Sequence, residues 1–264
     1  MDRNDLTREM RWYIADQLAK DKLDIVNQNS QLVVPNRNIY SRFVKRFIDI
    51  LVSLIILLVT LPINLILAIF TFFDVGHPIF FVQERTGRNG KIFHIIKLRN
   101  MNNNKDEHGN LLPPSQRVTG FGKFMRKTSL DELLNFWSIL KGDMSLIGPR
   151  PLVPEYEKRY SDRHRQRLLV RPGLECPPRK GLDHVWTWQE QFENDVWYVE
   201  NISFKTDCKM FFYLIKYTFN RKNTKSRSLS KRGSFMGYND DLHAVSISEL
   251  PQEYIDLCKD WKQD

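Results

Sequence analysis

Between Ile50 and Phe73 the chain runs for 24 residues without a charge. As a helix this run measures about 36 Å, at about 1.5 Å per residue, against a hydrocarbon core of about 30 Å. A buried helix of a soluble protein rarely stays apolar around its whole circumference for that length, because its outer face meets water. A secretory signal does not fit either, since the run starts far from the N-terminus and follows a mixed-charge stretch. The segment is therefore expected to meet lipid.

Whether it spans is a separate question. Arg42, Lys45 and Arg46 precede the run, and Arg85, Arg88, Lys91, Lys97 and Arg99 follow it. Basic residues on both sides satisfy the positive-inside rule in neither orientation of a single span. Pro62 divides the run into two halves of twelve residues, each about 18 Å long and able to reach only the bilayer midplane. Proline deletes a backbone donor and kinks a helix, and Thr60 and Asn64 are placed to satisfy the freed groups. The expectation is a re-entrant helix hairpin broken at Pro62, with both ends on the cytoplasmic face. A kinked single span is the alternative left open.

The remainder reads as a polar body. Its mean hydropathy of −0.44 conceals the apolar run, and its net charge of +9 lies wholly beyond Ser41, because the first 41 residues carry six basic and six acidic side chains. Cys176, Cys208 and Cys258 are too widely and irregularly spaced for a disulfide framework or a CxxC knuckle. Residues 9–26 read as an amphipathic helix, Pro78–Val82 and Ile92–Leu98 as short strands, and Asn102–Gln116 as a polar loop. A helix is expected over Leu130–Leu140 with Ser129 as N-cap. Pro154 opens another helix through the basic stretch Lys158–Arg171. Phe204–Phe219 is an apolar, aromatic-rich helix suited to a membrane surface, Asn220–Gly233 a flexible basic segment, and Ser248–Trp261 a last short helix. The fold class expected is α/β, mostly α with a few short strands. The divisions are an N-terminal amphipathic extension (1–40), a re-entrant membrane helix (41–75), a cytoplasmic catalytic domain (76–220) and a C-terminal extension (221–264).

Several site signatures are absent: Walker A, GxGxxG, HExxH and DxD do not occur. The six histidines are scattered, which argues against zinc. What remains is Asp131-Glu132, flanked by Arg126 and Lys127 and followed by Arg150. Acids in a first helical turn stabilise any helix by about 0.3–1 kcal/mol, which is one sufficient reading. The other is chemical: adjacent carboxylates can hold Mg²⁺ while one attacks phosphorus, with arginines gripping the phosphate oxygens. Residue types alone do not choose between them.

The segments KRFIDI (45–50), FFVQERTGRNGKIFHIIKLRNM (80–101), FGKFMRKTSLDELLNFWSILKGDMSLIGPRPLVPEY (121–156) and VRPG (170–173), with the Pro-split apolar run, resemble the bacterial sugar transferases. These are the monotopic polyprenyl-phosphate phosphoglycosyl transferases that begin capsule, O-antigen, exopolysaccharide and glycoprotein glycan assembly. The likeness covers most of Ser41–Asn220. It implies an enzyme on the cytoplasmic face of the bacterial inner membrane, transferring a sugar 1-phosphate from a UDP-sugar to undecaprenyl phosphate with release of UMP. It implies Asp131 as nucleophile in a ping-pong scheme, Glu132 as its partner, and both as ligands of a Mg²⁺ cofactor. It also implies donor-phosphate contacts from Pro149, Arg150 and Pro151, with Lys97, Arg99 and Arg126 nearby. Membrane lipid is a partner, a homodimer is left open, and nucleic acid is not expected.

Departures from the family pattern mark where this chain is its own. Leu134 stands where the family usually has proline after SLDEL. Leu61-Pro62 replaces Ser-Pro at the break, leaving Thr60 to supply a hydroxyl. After VRPG the chain reads LECPPRKGLDHVWTW (174–188) rather than the common ITGxxQVxGR. That loop is associated with sugar recognition, and Arg179, Asp183, His184 and Trp186 are its candidates for sugar selection. Two other functions stand as alternatives: a non-catalytic membrane-anchored scaffold, against which the intact Asp131-Glu132 argues, and a basic nucleic-acid-binding regulator, for which no helix-turn-helix or RNA-binding aromatic motif is present.

Overall fold

The computed structural model describes Arg3 and residues 6–107, 109–179, 184–219 and 232–259. Nine α-helices and six strands are present among them, so the mostly helical α/β expectation holds. Helix α1 (Arg8–Gln28) starts where the Thr7 hydroxyl accepts from Met10 N, and it buries Ile14, Ala15, Leu18 and Val26. A π-helical turn, Tyr40–Val44, leads into α2 (Lys45–Val75). Strands β1 (Phe80–Thr86) and β2 (Ile92–Leu98) form an antiparallel hairpin. After them come α3 (Pro114–Arg117), α4 (Gly120–Thr128), α5 (Asn135–Lys141) and β3 (Ser145–Ile147). Helix α6 (Asp162–Arg165) precedes β4 (Gly173–Glu175), which pairs with β3 in parallel. Helices α7 (Trp188–Glu200) and α8 (Phe204–Phe219) complete the body. The antiparallel pair β5 (Phe235–Tyr238) and β6 (Ala244–Ser246), then α9 (Gln252–Asp256), follow.

Tyr40–Val75 forms one helix long and apolar enough to cross a membrane. Pro62 lies inside it. Thr60 Oγ1 donates to Ile56 O at 2.7 Å and accepts from Asn64 Nδ2 at 3.2 Å, so the two polar residues beside the proline bond along the helix. Both ends of α2 grip the polar body. At the start, Lys45 Nζ donates to Asp207 Oδ2 at 2.5 Å, and Arg46 donates to Ile139 O and Leu140 O at 2.6 and 2.8 Å. A guanidinium there caps the end of α5, adding a second donor to Ile139 O, which already accepts from Gly142 N. Asp49 Oδ1 accepts from Ser145 Oγ and Leu146 N, each at 3.0 Å. At the other end Leu67 packs with Leu98 and Met125, and Asp74 Oδ2 accepts from Thr119 Oγ1 at 2.5 Å. No residue from Leu54 to Ile66 is buried.

The two extensions fold together. Ile14, Ala15 and Leu18 of α1 share a core with Met236, Val245, Leu250 and Ile255. Phe235 and Tyr238 then join Tyr156, Tyr160, Trp188 and Phe192 in an aromatic cluster of the body. Two sequence expectations change here. No single helix follows Pro154: a 3₁₀ turn (Pro154–Arg159), α6 and a second 3₁₀ turn (Gln166–Leu169) replace it. Arg159, His164 and Arg167 are all buried, and a broken path brings each to its own polar partner. The last helix is confined to α9. Most of the basic stretch 220–233, up to residue 231, lies outside the described residues.

Candidate active site

The helix expected from Leu130 does not begin there. Helix α4 opens with the Thr119 hydroxyl accepting from Gly122 N, and a side chain at Gly122 would collide with Asn100 O. It ends at Ser129, whose φ of 57° is left-handed. Ser129 therefore reverses the chain and makes no N-cap bond. Leu130–Glu132 becomes a 3₁₀ turn ahead of α5. The turn carries Asp131 inward to 6% exposure, so helix-dipole stabilisation does not account for the pair.

Asp131 and Glu132 meet different surroundings. Asn100 Nδ2 donates to Asp131 Oδ2 at 2.9 Å. Arg126 donates to Asn100 Oδ1 from Nε at 3.1 Å and Nη2 at 2.8 Å. The guanidinium thus fixes which end of the amide faces Asp131. Glu132 Oε1 accepts from Lys97 Nζ at 2.6 Å and Arg150 Nη2 at 3.3 Å, while Arg150 Nη1 donates to Glu175 Oε2 at 3.3 Å. The Arg150 carbonyl is held in turn by Arg167 Nη2 at 2.8 Å, and Arg167 is fixed by a fully buried pair with Asp195.

Burial raises the Asp131 pKa above the ordinary value, with Glu132 adding to it and Lys97 opposing it. For Glu132, burial pushes the same way, but Arg150 and Lys97 outweigh it and the net shift is down. Two adjacent carboxyls are pushed apart, a pattern that assigns separate roles to acid pairs. Arg85, Lys97, Glu132, Asn135, Arg150 and Pro151 line one cleft here. Burial and the neighbouring Arg150 lower the pKa of Arg85, so an anion entering the cleft relieves repulsion between two guanidiniums.

Among the described residues no three His, Cys, Asp or Glu side chains converge as a metal cage. Mg²⁺ does not need one, because it takes one or two carboxylates and completes its shell with water and substrate phosphate. Asp131 and Glu132 meet that requirement. Asn135 Oδ1, buried and without a hydrogen-bond partner, adds a neutral oxygen beside them.

The family described as bacterial sugar transferase matches residues 40–221. This chain belongs to that family. An uncharacterized sugar transferase, EpsL, of Bacillus subtilis is 39% identical over 166 residues, 63% of this chain and 82% of the relative. The undecaprenyl-phosphate galactose phosphotransferase of Salmonella typhimurium is 35% identical over 211 residues, 69% of this chain. The UDP-N-acetylgalactosamine-undecaprenyl-phosphate N-acetylgalactosaminephosphotransferase of Aeromonas hydrophila is 32% identical over 207 residues, 74% of this chain. The chain spans 41% and 48% of the length of those two relatives.

Within this member of the family the expected site residues divide. Asp131, Glu132, Lys97, Arg126 and Arg150 come together, and Pro151 lines the cleft. Pro149 contributes its carbonyl to Gly173 N at 3.0 Å. Arg99 turns away and donates to Val75 O and His77 O at the end of α2. In the divergent loop Arg179 stacks on Trp197 and donates to Asn194, His184 pairs with Glu190 at 2.8 Å, and Trp186 is buried. Asp183 lies outside the described residues. The loop meets the cleft instead through Leu174 and through Glu175 on Arg150. Arg85, Asn100, Asn135 and Glu175 were missed. Asn100 sits in the KLRNM segment and Asn135 four residues after Asp131, positions whose nearness to the dyad was the available signal.

Proposed function

We propose that this chain transfers a sugar 1-phosphate from a UDP-sugar to undecaprenyl phosphate, releasing UMP, at the cytoplasmic face of the bacterial inner membrane. The observation that carries the reading is Asp131, inward-turned and oriented by Asn100, beside a cationic cleft in a chain of this family. In the first half-reaction an Asp131 carboxylate oxygen attacks the β-phosphorus of the donor. The new oxygen–phosphorus bond forms as the bond to the bridging oxygen breaks, and the electron pair leaves with UMP. In the second, a phosphate oxygen of undecaprenyl phosphate attacks the same phosphorus and returns the carboxylate of Asp131. Arg85, Arg150 and Lys97 hold phosphate oxygens, since phosphoryl transfer depends mainly on positioning and charge neutralisation. Asp131 and Glu132 would hold Mg²⁺, which when bound supplies further charge neutralisation on those oxygens. Sugar choice is assigned to the loop Leu174–Trp188.

The lipid acceptor gives the apolar helix its purpose, and we read that helix as re-entrant. Arg46 and Leu67 stand about 32 Å apart along a straight helix, yet both meet the flanks of α5, itself about 10 Å long. The uncovered stretch Leu54–Ile66 is then the tip that enters lipid.

The test is a panel of UDP-sugars with the purified chain in lipid nanodiscs, scoring UMP release with and without undecaprenyl phosphate and Mg²⁺. One donor is expected to give a stoichiometric burst of UMP without acceptor and continuous turnover with it. Release only when both substrates are present, with no covalent adduct by intact mass, would replace the ping-pong scheme with direct transfer. No release from any donor would remove the activity altogether.

A further inference from the structure

The loop Leu174–Trp188 is tied down at both ends, by different parts of the chain. Its entry is held by α7: Asn194 Nδ2 donates to Cys176 O at 3.3 Å, and the Arg179 guanidinium lies 4.6 Å from the Trp197 ring centroid. Its exit is held by residues beyond the segment shared with the family. Arg232 Nη1 donates to Trp186 O at 3.3 Å and Thr187 O at 3.4 Å, and its guanidinium lies 3.8 Å from the Trp188 ring centroid. Trp188 Nε1 donates back to Gly233 O at 3.3 Å, and Ala244 N to Gln189 Oε1 at 2.9 Å. Arg232 is 8% exposed, and its Nε has no hydrogen-bond partner. Burial draws its pKa down to about 10, while Glu175 and Asp195 favour the charged form. Glu175 is the carboxylate that also accepts from Arg150.

We propose that Arg232 is a positioning residue for donor selection. It holds the exit of the loop at Trp186 and Thr187, and its charge acts on Glu175, the partner of Arg150, so the terminal extension biases how the loop meets the cleft at Leu174 and Glu175. The inference rests on the transfer reaction proposed above. The planar guanidinium suits the task, because it can stack on an indole while donating sideways to two carbonyls. Phosphate contacts are common to every donor, whereas hydroxyl and N-acyl contacts are not. A small shift of the loop therefore falls unequally on different sugars.

The experiment uses the full chain in nanodiscs, its preferred UDP-sugar and the next-best donor, with wild type, Arg232→Met, Arg232→Lys and Trp188→Leu. For Arg232→Met the KM of the preferred donor is expected to rise about tenfold with kcat changed less than about twofold, compressing the kcat/KM ratio between donors. Arg232→Lys should restore part of that ratio, and Trp188→Leu should reproduce the compression. If Arg232→Met fails to fold, the other two variants carry the result. A kcat/KM that falls by the same factor for both donors, or a ratio unchanged in every folded variant, overturns the positioning role while leaving the reaction intact. A wild-type chain that releases no UMP overturns the reaction itself.

Discussion

Asn100 is the side chain through which Arg126 reaches Asp131. A hydrogen bond to a charged group contributes about 1.5–3 kcal/mol, so Asn100→Ala should lower kcat by about tenfold to a hundredfold. Arg126→Ala should cost no more, because its hydrogen-bonded route to Asp131 passes through the same amide and its direct charge effect ranks behind those of burial, Lys97 and Glu132, and the double variant should stay close to Asn100→Ala alone. Additive losses in that cycle would show that Arg126 acts on substrate directly. Asp131→Asn keeps the shape and removes the anionic nucleophile, so turnover and the donor-dependent mass adduct should both vanish. An adduct retained in Asp131→Asn would move the nucleophile elsewhere. The dyad and its cations were legible because their types and spacing match a known family pattern. Asn100 and Asn135 were not, since a neutral amide acquires meaning only from what stands opposite it. Glu175 was hidden for a related reason: its partner Arg150 lies on a different loop.

Along α2, the two halves around Pro62 predict one topology. Cysteine labelling at positions 42 and 76 should report the same, cytoplasmic side, and labelling from opposite sides would establish a single span. Pro62→Leu restores the donor to Leu58 O and removes the ring clash, which should shift part of the population towards spanning; an unchanged labelling pattern would show that the contacts at Asp49 and Asp74, not the proline, set the topology. Elements with strong periodicity or sharp punctuation were readable: β2 and α8 stand at the residues expected. The Leu130–Leu140 helix was misplaced because Ser129 takes a left-handed conformation that serine seldom adopts, imposed by the end of α4. The Pro154–Arg171 stretch was misread as one helix opened by Pro154, because proline at a first helical turn signals a start and nothing in the basic run signals the breaks. Arg159, His164 and Arg167 instead point inward, to Asp16, Glu193 and Asp195.

At the scale of the molecule, the extension is fastened to the body by a buried polar relay. Tyr238 of β5 contacts His164 Nδ1 at 2.8 Å, and Glu193 accepts from Arg163 and contacts His164 Nε2 at 3.0 Å. Burial resists ionisation of Glu193, but Arg163 and His164 overcome it and bring its pKa down to about 2 from an ordinary 4.5. Burial also lowers the pKa of His164. A depressed pKa contributes stability that is complete above the unfolded value and is lost as pH falls through the folded one. The thermal midpoint should therefore fall as pH drops from about 4.5 towards 2, and Glu193→Gln should flatten that fall; superimposable profiles would remove Glu193 from the acid response. The extension also carries a consequence for biosynthesis. Arg3 donates to Leu250 O across 247 residues, and Tyr254 to Asp21 across 233. Translation delivers α1 before α2 and the body, and the body before the partners of α1 in β5, β6 and α9. The apolar stripe of Ile14 and Leu18 thus leaves the ribosome more than 200 residues before the strands and helix that share its core. A ribosome stalled downstream of α8 would hold a nascent chain in which α1 still lacks β5, β6 and α9, the elements that complete its core.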